Sequence, residues 1–185
     1  MKRQIRRSVF ETNSSSIHSI SISKKPVDIS DKSIHFNIGE FGWENSTVDT
    51  ADYLYTAILE LDEENLLDRL KEVLDKNNIK YSFETPRYEY SRDGKSKWLD
   101  YGYIDHYGET REFVETVLND EDMLMRLLFG DSCVYTGNDN SEADYSGKDI
   151  AEATIEGYDY KTKEWVSTPN PYHDAENYDY FYKGN

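Results

Sequence analysis

The chain has one cysteine, Cys133, so no disulfide can close within it. It has no apolar run near the ~18 residues that a membrane-spanning helix requires. Its first residues are basic, as a signal peptide's are, but no apolar region follows Arg7. These absences predict a protein of a reducing cytoplasm with no membrane partner. Familiar site signatures are missing too: there is no glycine-rich phosphate loop, HExxH, paired-cysteine motif or EF-hand spacing. The acidic run Asp139 to Asp144 lacks the alternating ligands and closing glutamate of a calcium loop. Asp105-His106 and His173-Asp174 each offer a metal two ligands, but adjacent residues on a strand point to opposite faces. No metal and no cofactor is therefore expected. Internal repeats, heptads and linkers are absent as well.

What is present fits one folded domain. At 185 residues the chain lies within the usual domain range. It should have a radius of gyration of roughly 16 Å and bury roughly 70% of its unfolded surface. Only 37% of residues are hydrophobic, yet sixteen tyrosines supply large apolar faces that tolerate water at the hydroxyl.

Charge is unevenly spread. Residues 1–25 hold six bases against Glu11, a net of +5, and the other 160 residues hold 15 bases against 36 acids, a net of −21. Such blocks act through long-range fields. The acidic body (residues 26–185) either keeps the chain soluble, or presents an acidic face that docks on a basic protein or mimics nucleic-acid phosphates.

Patterning predicts an α+β fold, with an N-terminal β-hairpin, mostly antiparallel strands and about four helices. The hairpin has arms Ile5–Phe10 and Ile17–Ser23 around the turn formers Thr12-Asn13-Ser14-Ser15. Ile34, Phe36 and Ile38 alternate as in a half-buried strand. Leu54, Ala57, Ile58 and Leu61, then Leu66, Leu67, Leu70, Val73 and Leu74, recur at helical spacing. Ile79, Tyr81 and Phe83 mark a strand ended by Pro86, and Asp93-Gly94 turns the chain into an arm carrying Leu99, Tyr101 and Tyr103. Helices are expected over Thr110–Asn119 and Asp120–Phe129, with Gly130 capping the second. Residues 136–149 read as a polar loop. A strand follows through Ala151, Ala153 and Ile155, turned back at Lys161-Thr162 toward Trp165 and Val166. Tyr178, Tyr180 and Tyr182 mark a last strand.

The densest polar constellation is Arg3, Arg6, Arg7, Glu11, Asn13, Ser14, Ser15, Ser16 and His18. A hairpin would bring the arginines toward His18, and this set suits a phosphodiester. Guanidinium forks hold phosphate oxygens. A histidine moves protons near neutral pH, and Glu11 would orient it or act as a second acid/base. On this reading His18, Glu11 and Arg7 are the catalytic candidates, and Arg3, Arg6, Asn13, Ser14 and Ser16 contact RNA. The plainer reading starts from His18 sharing parity with Ile20 and Ile22: a half-buried histidine held by a hydrogen bond, with serines that only cap a turn.

The run VFETNSSSIHSI (residues 9–20), preceded by Arg6 and Arg7, resembles the N-terminal signature of small phage and mobile-element proteins of Gram-positive bacteria. Among these are anti-CRISPR proteins directed against the type II effector nuclease and its guide RNA. In length, acidity and basic N-terminus the chain is most similar to those that cause guide-RNA truncation in an effector-dependent way. The resemblance covers about a dozen residues. It implies a role for Arg6, Arg7, Glu11, Asn13, Ser14, Ser16 and His18, a bacterial host cytoplasm, and the type II CRISPR effector nuclease with its guide RNA as partners.

Overall fold

The computed structural model describes residues 16–42, 44–63, 65–138 and 150–183. The first element follows from the alternation in SIHSISIS. Strand β1 (Ser16–Ser23) turns His18, Ile20 and Ile22 to one side and Ser19, Ser21 and Ser23 to the other. Three short strands follow: β2 (Ser33–Phe36), β3 (Glu40–Phe41) and β4 (Ser46–Val48). Helix α1 (Thr50–Leu61) is capped by Asp49, whose carboxylate accepts from the amides of Ala51 and Asp52. Helix α2 (Leu66–Lys76) buries the expected stripe of Leu66, Leu70 and Leu74. Strands β5 (Lys80–Phe83), β6 (Tyr88–Tyr90), β7 (Lys97–Leu99) and β8 (Tyr103–Ile104) come next.

A 3-10 turn at Tyr107–Thr110 leads into α3 (Arg111–Asn119), and Asp120 then caps α4 (Glu121–Phe129) through the Met123 amide. The Gly130 amide closes α4 onto the Arg126 carbonyl. The rest of the described chain is β9 (Cys133–Asn138), β10 (Thr154–Asp159), β11 (Glu164–Pro169) and β12 (Tyr178–Lys183). Among the described residues the fold is α+β, with α1 to α4 as its full helices, and five of the seven strand pairings are antiparallel.

The principal sheet has the order β12-β1-β9-β4. The second arm of the expected hairpin is thus β1 itself, and the first arm, Ile5–Phe10, lies outside the described residues. Over His18–Ser21 both edges of β1 are occupied, by β12 on one side and β9 on the other. Strand β9 corrects the expectation of a loop beginning at residue 136: Thr136, Gly137 and Asn138 continue a ladder opposite His18, Ile17 and Ser16. The arm expected through Leu99, Tyr101 and Tyr103 also divides. Gly102 has φ +81°, and a Cβ there would strike Ile38 Cγ2 at 2.1 Å. The chain turns at that glycine, and Tyr103 pairs with Glu40 instead.

Helix α1 carries more than the single stripe expected of it. Tyr53, Tyr55 and Leu59 are buried along with Leu54, Ala57, Ile58 and Leu61, so the helix is enclosed on nearly every side. One face meets the inner side of the principal sheet, where Tyr53 reaches His18. The other faces the parallel pair β2–β5, where Tyr55, Phe36 and Phe83 pack ring on ring. Helices α3 and α4 close the core with Phe113, Val114, Val117, Leu124 and Leu127. Among the described residues no helix is long and apolar enough to cross a membrane.

One element stands apart from this packing. The β10–β11 hairpin is exposed along almost its whole length on both faces. Its turn is tied by Asp159, whose carbonyl accepts from the Lys163 amide and whose carboxylate accepts from the Lys161 amide, each at 2.7 Å. Its base is held by Asn170, only 6% exposed, which donates through its backbone amide to the Ala153 carbonyl and through Nδ2 to the Glu152 carbonyl.

Candidate functional site

His18 lies on the inner face of β1 and is 1% exposed. Its Nδ1 is 2.9 Å from the Tyr53 hydroxyl and its Nε2 is 3.2 Å from Ser16 Oγ. Ser16 Oγ in turn donates to the Asp105 carbonyl at 3.4 Å. One tautomer is compatible with all three of these contacts. With the serine proton directed to a carbonyl, Oγ accepts from Nε2–H, and Nδ1 accepts from the tyrosine hydroxyl. That polarity is the reverse of nucleophile activation, in which the imidazole must take the serine proton. Burial pushes the Tyr53 hydroxyl far above its ordinary titration range, and the Glu60 carboxylate adds to the effect. Tyr53 therefore stays a neutral donor.

Gly42 closes the roof of this centre. Its φ is +117°, and a Cβ there would lie 2.7 Å from Asp105 Cβ and 3.3 Å from His18 Nε2. A cleft of about 200 Å³ also reaches the histidine, between β1, β12 and the start of α3, walled by Tyr53, Thr110, Glu112, Phe113 and Phe181.

Of the residues singled out from sequence, the structure brings Ser16 and His18 together. Arg3, Arg6, Arg7, Glu11, Asn13 and Ser14 lie outside the described residues. In the sheet register His18 stands opposite Thr136 on one side and Lys183 on the other. The side chains of the His173-Asp174 pair are separately employed. His173 Nδ1 bonds the Ile150 carbonyl at 2.9 Å, and Asp174 accepts from the amide and side chain of Asn177. Among the described residues no group of three or more histidine, cysteine, aspartate or glutamate side chains is placed to hold a metal ion.

The second candidate surface was not singled out from sequence. On the β10–β11 hairpin Tyr158 and Trp165 are cross-strand partners, with ring centroids 5.7 Å apart. Tyr160 joins them edge-on at 5.2 Å from the turn. Trp165 is 72% exposed and Tyr160 86%. Glu156, Asp159 and Glu164 lie on the same two strands. The signal available in sequence was the clustering of aromatics beside Lys161-Thr162, but nothing in that spacing says whether the rings face a core or water.

No protein-family model, curated protein or solved structure matches the chain.

Proposed function

We propose that this chain acts by docking on a basic, nucleic-acid-handling protein and occluding it, with the β10–β11 hairpin as the contact element. The observation that carries the reading is the bare Tyr158–Trp165–Tyr160 cluster on a chain of net charge −16. Two-stranded hairpins are marginal alone in water. Large exposed aromatics are the residues from which interface hot spots are built. A strongly negative field steers the chain toward cationic surfaces and away from free nucleic acid. The buried, hydrogen-bonded state of His18 favours occlusion over catalysis by that side chain.

The resemblance of residues 9–20 nominates the partner. It is the type II CRISPR effector nuclease loaded with guide RNA, whose nucleic-acid channel is strongly positive. In the second reading, favoured by the +5 charge of residues 1–25, this N-terminal segment meets RNA phosphates and promotes guide-RNA truncation.

One experiment separates these. The chain is mixed with the effector–guide complex, resolved by size exclusion, and the recovered guide is run on a denaturing gel. Occlusion predicts co-elution with full-length guide, and loss of co-elution in a Tyr158→Ala, Trp165→Ala variant. A shortened guide supports truncation. Failure of the wild-type chain to co-elute, with the guide still full length, overturns both.

A further inference from the structure

The outer face of the principal sheet has an uneven relief that follows from the β1 sequence. Its outward residues Ser19 and Ser21 are small, while Tyr135 on β9 stands opposite Ser19 and Tyr180 on β12 opposite Ser21. Strands two apart are separated by roughly 10 Å. Small side chains on the middle strand therefore leave a trough between rows of rings. The trough has a volume of about 330 Å³; Tyr172 and Tyr178 extend its aromatic walls, and Asp131 and Asp174 supply carboxylates. The described residues that line it include no lysine or arginine.

The walls are held in place. Tyr180 stacks on His173 at 4.6 Å and 29°, and its hydroxyl accepts from the Asp174 amide at 3.4 Å. Both Asp174 oxygens accept from Asn177, which holds this carboxyl below the usual range and keeps it charged. Asp131 already draws a cation, Lys25, to 3.7 Å at the rim. That pair is largely exposed and weak, so an incoming group can displace it.

We infer that this trough receives an arginine side chain of the basic partner, its guanidinium between the tyrosine walls and the Asp131 and Asp174 carboxylates. Electron-rich ring faces attract cations. Arginine's planar, weakly hydrated head suits flat walls and forked carboxylate contact better than the compact ammonium of lysine. The inference rests on the reading of a basic protein partner, but the trough can be tested without one.

The full-length chain, isotope-labelled, is titrated with N-acetylarginine amide, and its backbone amide signals are followed. The neutral isostere N-acetylcitrulline amide and the lysine analogue serve as comparisons. The expected result is saturable shifts centred on Ser19, Ser21, Tyr178 and Tyr180, strongest for arginine and absent for citrulline. Tyr180→Phe keeps the ring face and retains binding, whereas Tyr180→Leu and Asp174→Asn each weaken it by about three- to fivefold. Equal shifts with citrulline, shifts spread over other acidic surfaces, or Tyr180→Leu binding like wild type overturns the assignment. The outcomes also separate the two readings. If arginine amide binds the trough but the effector–guide complex does not co-elute, the receptor stands and the nominated partner falls. Co-elution without trough shifts does the reverse.

Discussion

The Tyr53 hydroxyl meets His18 Nδ1 at 2.9 Å in the packed layer between α1 and the inner face of the principal sheet. Both side chains are fully buried or nearly so. Tyr53→Phe keeps the ring contacts with His18, Phe41 and Phe113 and removes only the donor. It should cost about 1–3 kcal/mol, the usual effect of stranding a buried polar atom. His18→Ala should cost at least as much, because it also strands the tyrosine hydroxyl. Urea unfolding of both variants and the double variant checks this through the coupling energy. A Tyr53→Phe midpoint equal to wild type would show that the bond does not support the fold. The result also governs how a loss of function in His18→Ala is read, since an unfolded variant says nothing about proton transfer.

The same helix predicts a weakness at high pH. Burial raises the Tyr53 hydroxyl well above its ordinary value of 10.0 and pushes Tyr55 up to about 12. A raised folded-state value means that the unfolded chain releases these protons first. Their contribution to stability is therefore whole below about pH 10 and is lost as pH climbs toward and past 12. Urea midpoints should hold steady to about pH 9.5 and then fall, with tyrosinate absorbance rising in two stages, exposed rings first and the α1 rings only on unfolding. A single smooth tyrosinate titration with an unchanged midpoint would contradict the burial of these hydroxyls.

Much of this arrangement could be read from sequence, where spacing is a local matter. The helices appear where leucine and valine recur at three and four, and the parity of His18 with Ile20 and Ile22 correctly places its side chain inside. Strand β9 escaped because Thr136, Gly137 and Asn138 open a long polar stretch, and a single large apolar side chain, Val134, alternates with the buried Thr136. Its place beside β1 is a long-range pairing that composition does not encode. The parallel pairs β2–β5 and β3–β8 are of the same kind, set by the helices that connect them. Tyr53, four residues before Ala57, borders the apolar stripe of α1, but nothing in the sequence says that this helix is covered on both sides or that His18 lies against it.

Gly42 tests how tightly the polar centre is closed. Gly42→Ala puts a methyl group 2.7 Å from Asp105 Cβ at a backbone angle that side chains rarely adopt. Crowding of this kind costs about 1–3 kcal/mol, and the backbone strain about as much again. The melting temperature should drop, and the His18 ring signals should shift, since the new carbon would lie 3.3 Å from Nε2. An unshifted ring would mean that the loop bearing Gly42 can move away without disturbing the strand.

Arg126 poses the opposite case, a charge carried into the interior. It is 7% exposed, and its guanidinium donates to the Ser23 carbonyl at 2.7 Å, to Asp122 at 2.9 Å and to Asp179 at 3.4 Å. It thereby ties α4 to the end of β1 and the start of β12. The two carboxylates retain access to water, with side-chain exposures of 77% and 30%, so they tolerate the loss of their partner. The Ser23 carbonyl, on a fully buried residue, does not. Arg126→Met fills most of the volume and leaves that carbonyl unpaired, for an expected loss of about 1–3 kcal/mol. Arg126→Ala adds a cavity and should lose about 2–5 kcal/mol. Arg126→Lys should rank with methionine, because one ammonium cannot span the three acceptors as the fork does. Urea midpoints in the order wild type, methionine, alanine would support this account. A methionine variant as stable as wild type would show that the Ser23 carbonyl finds another donor and that the buried charge is dispensable.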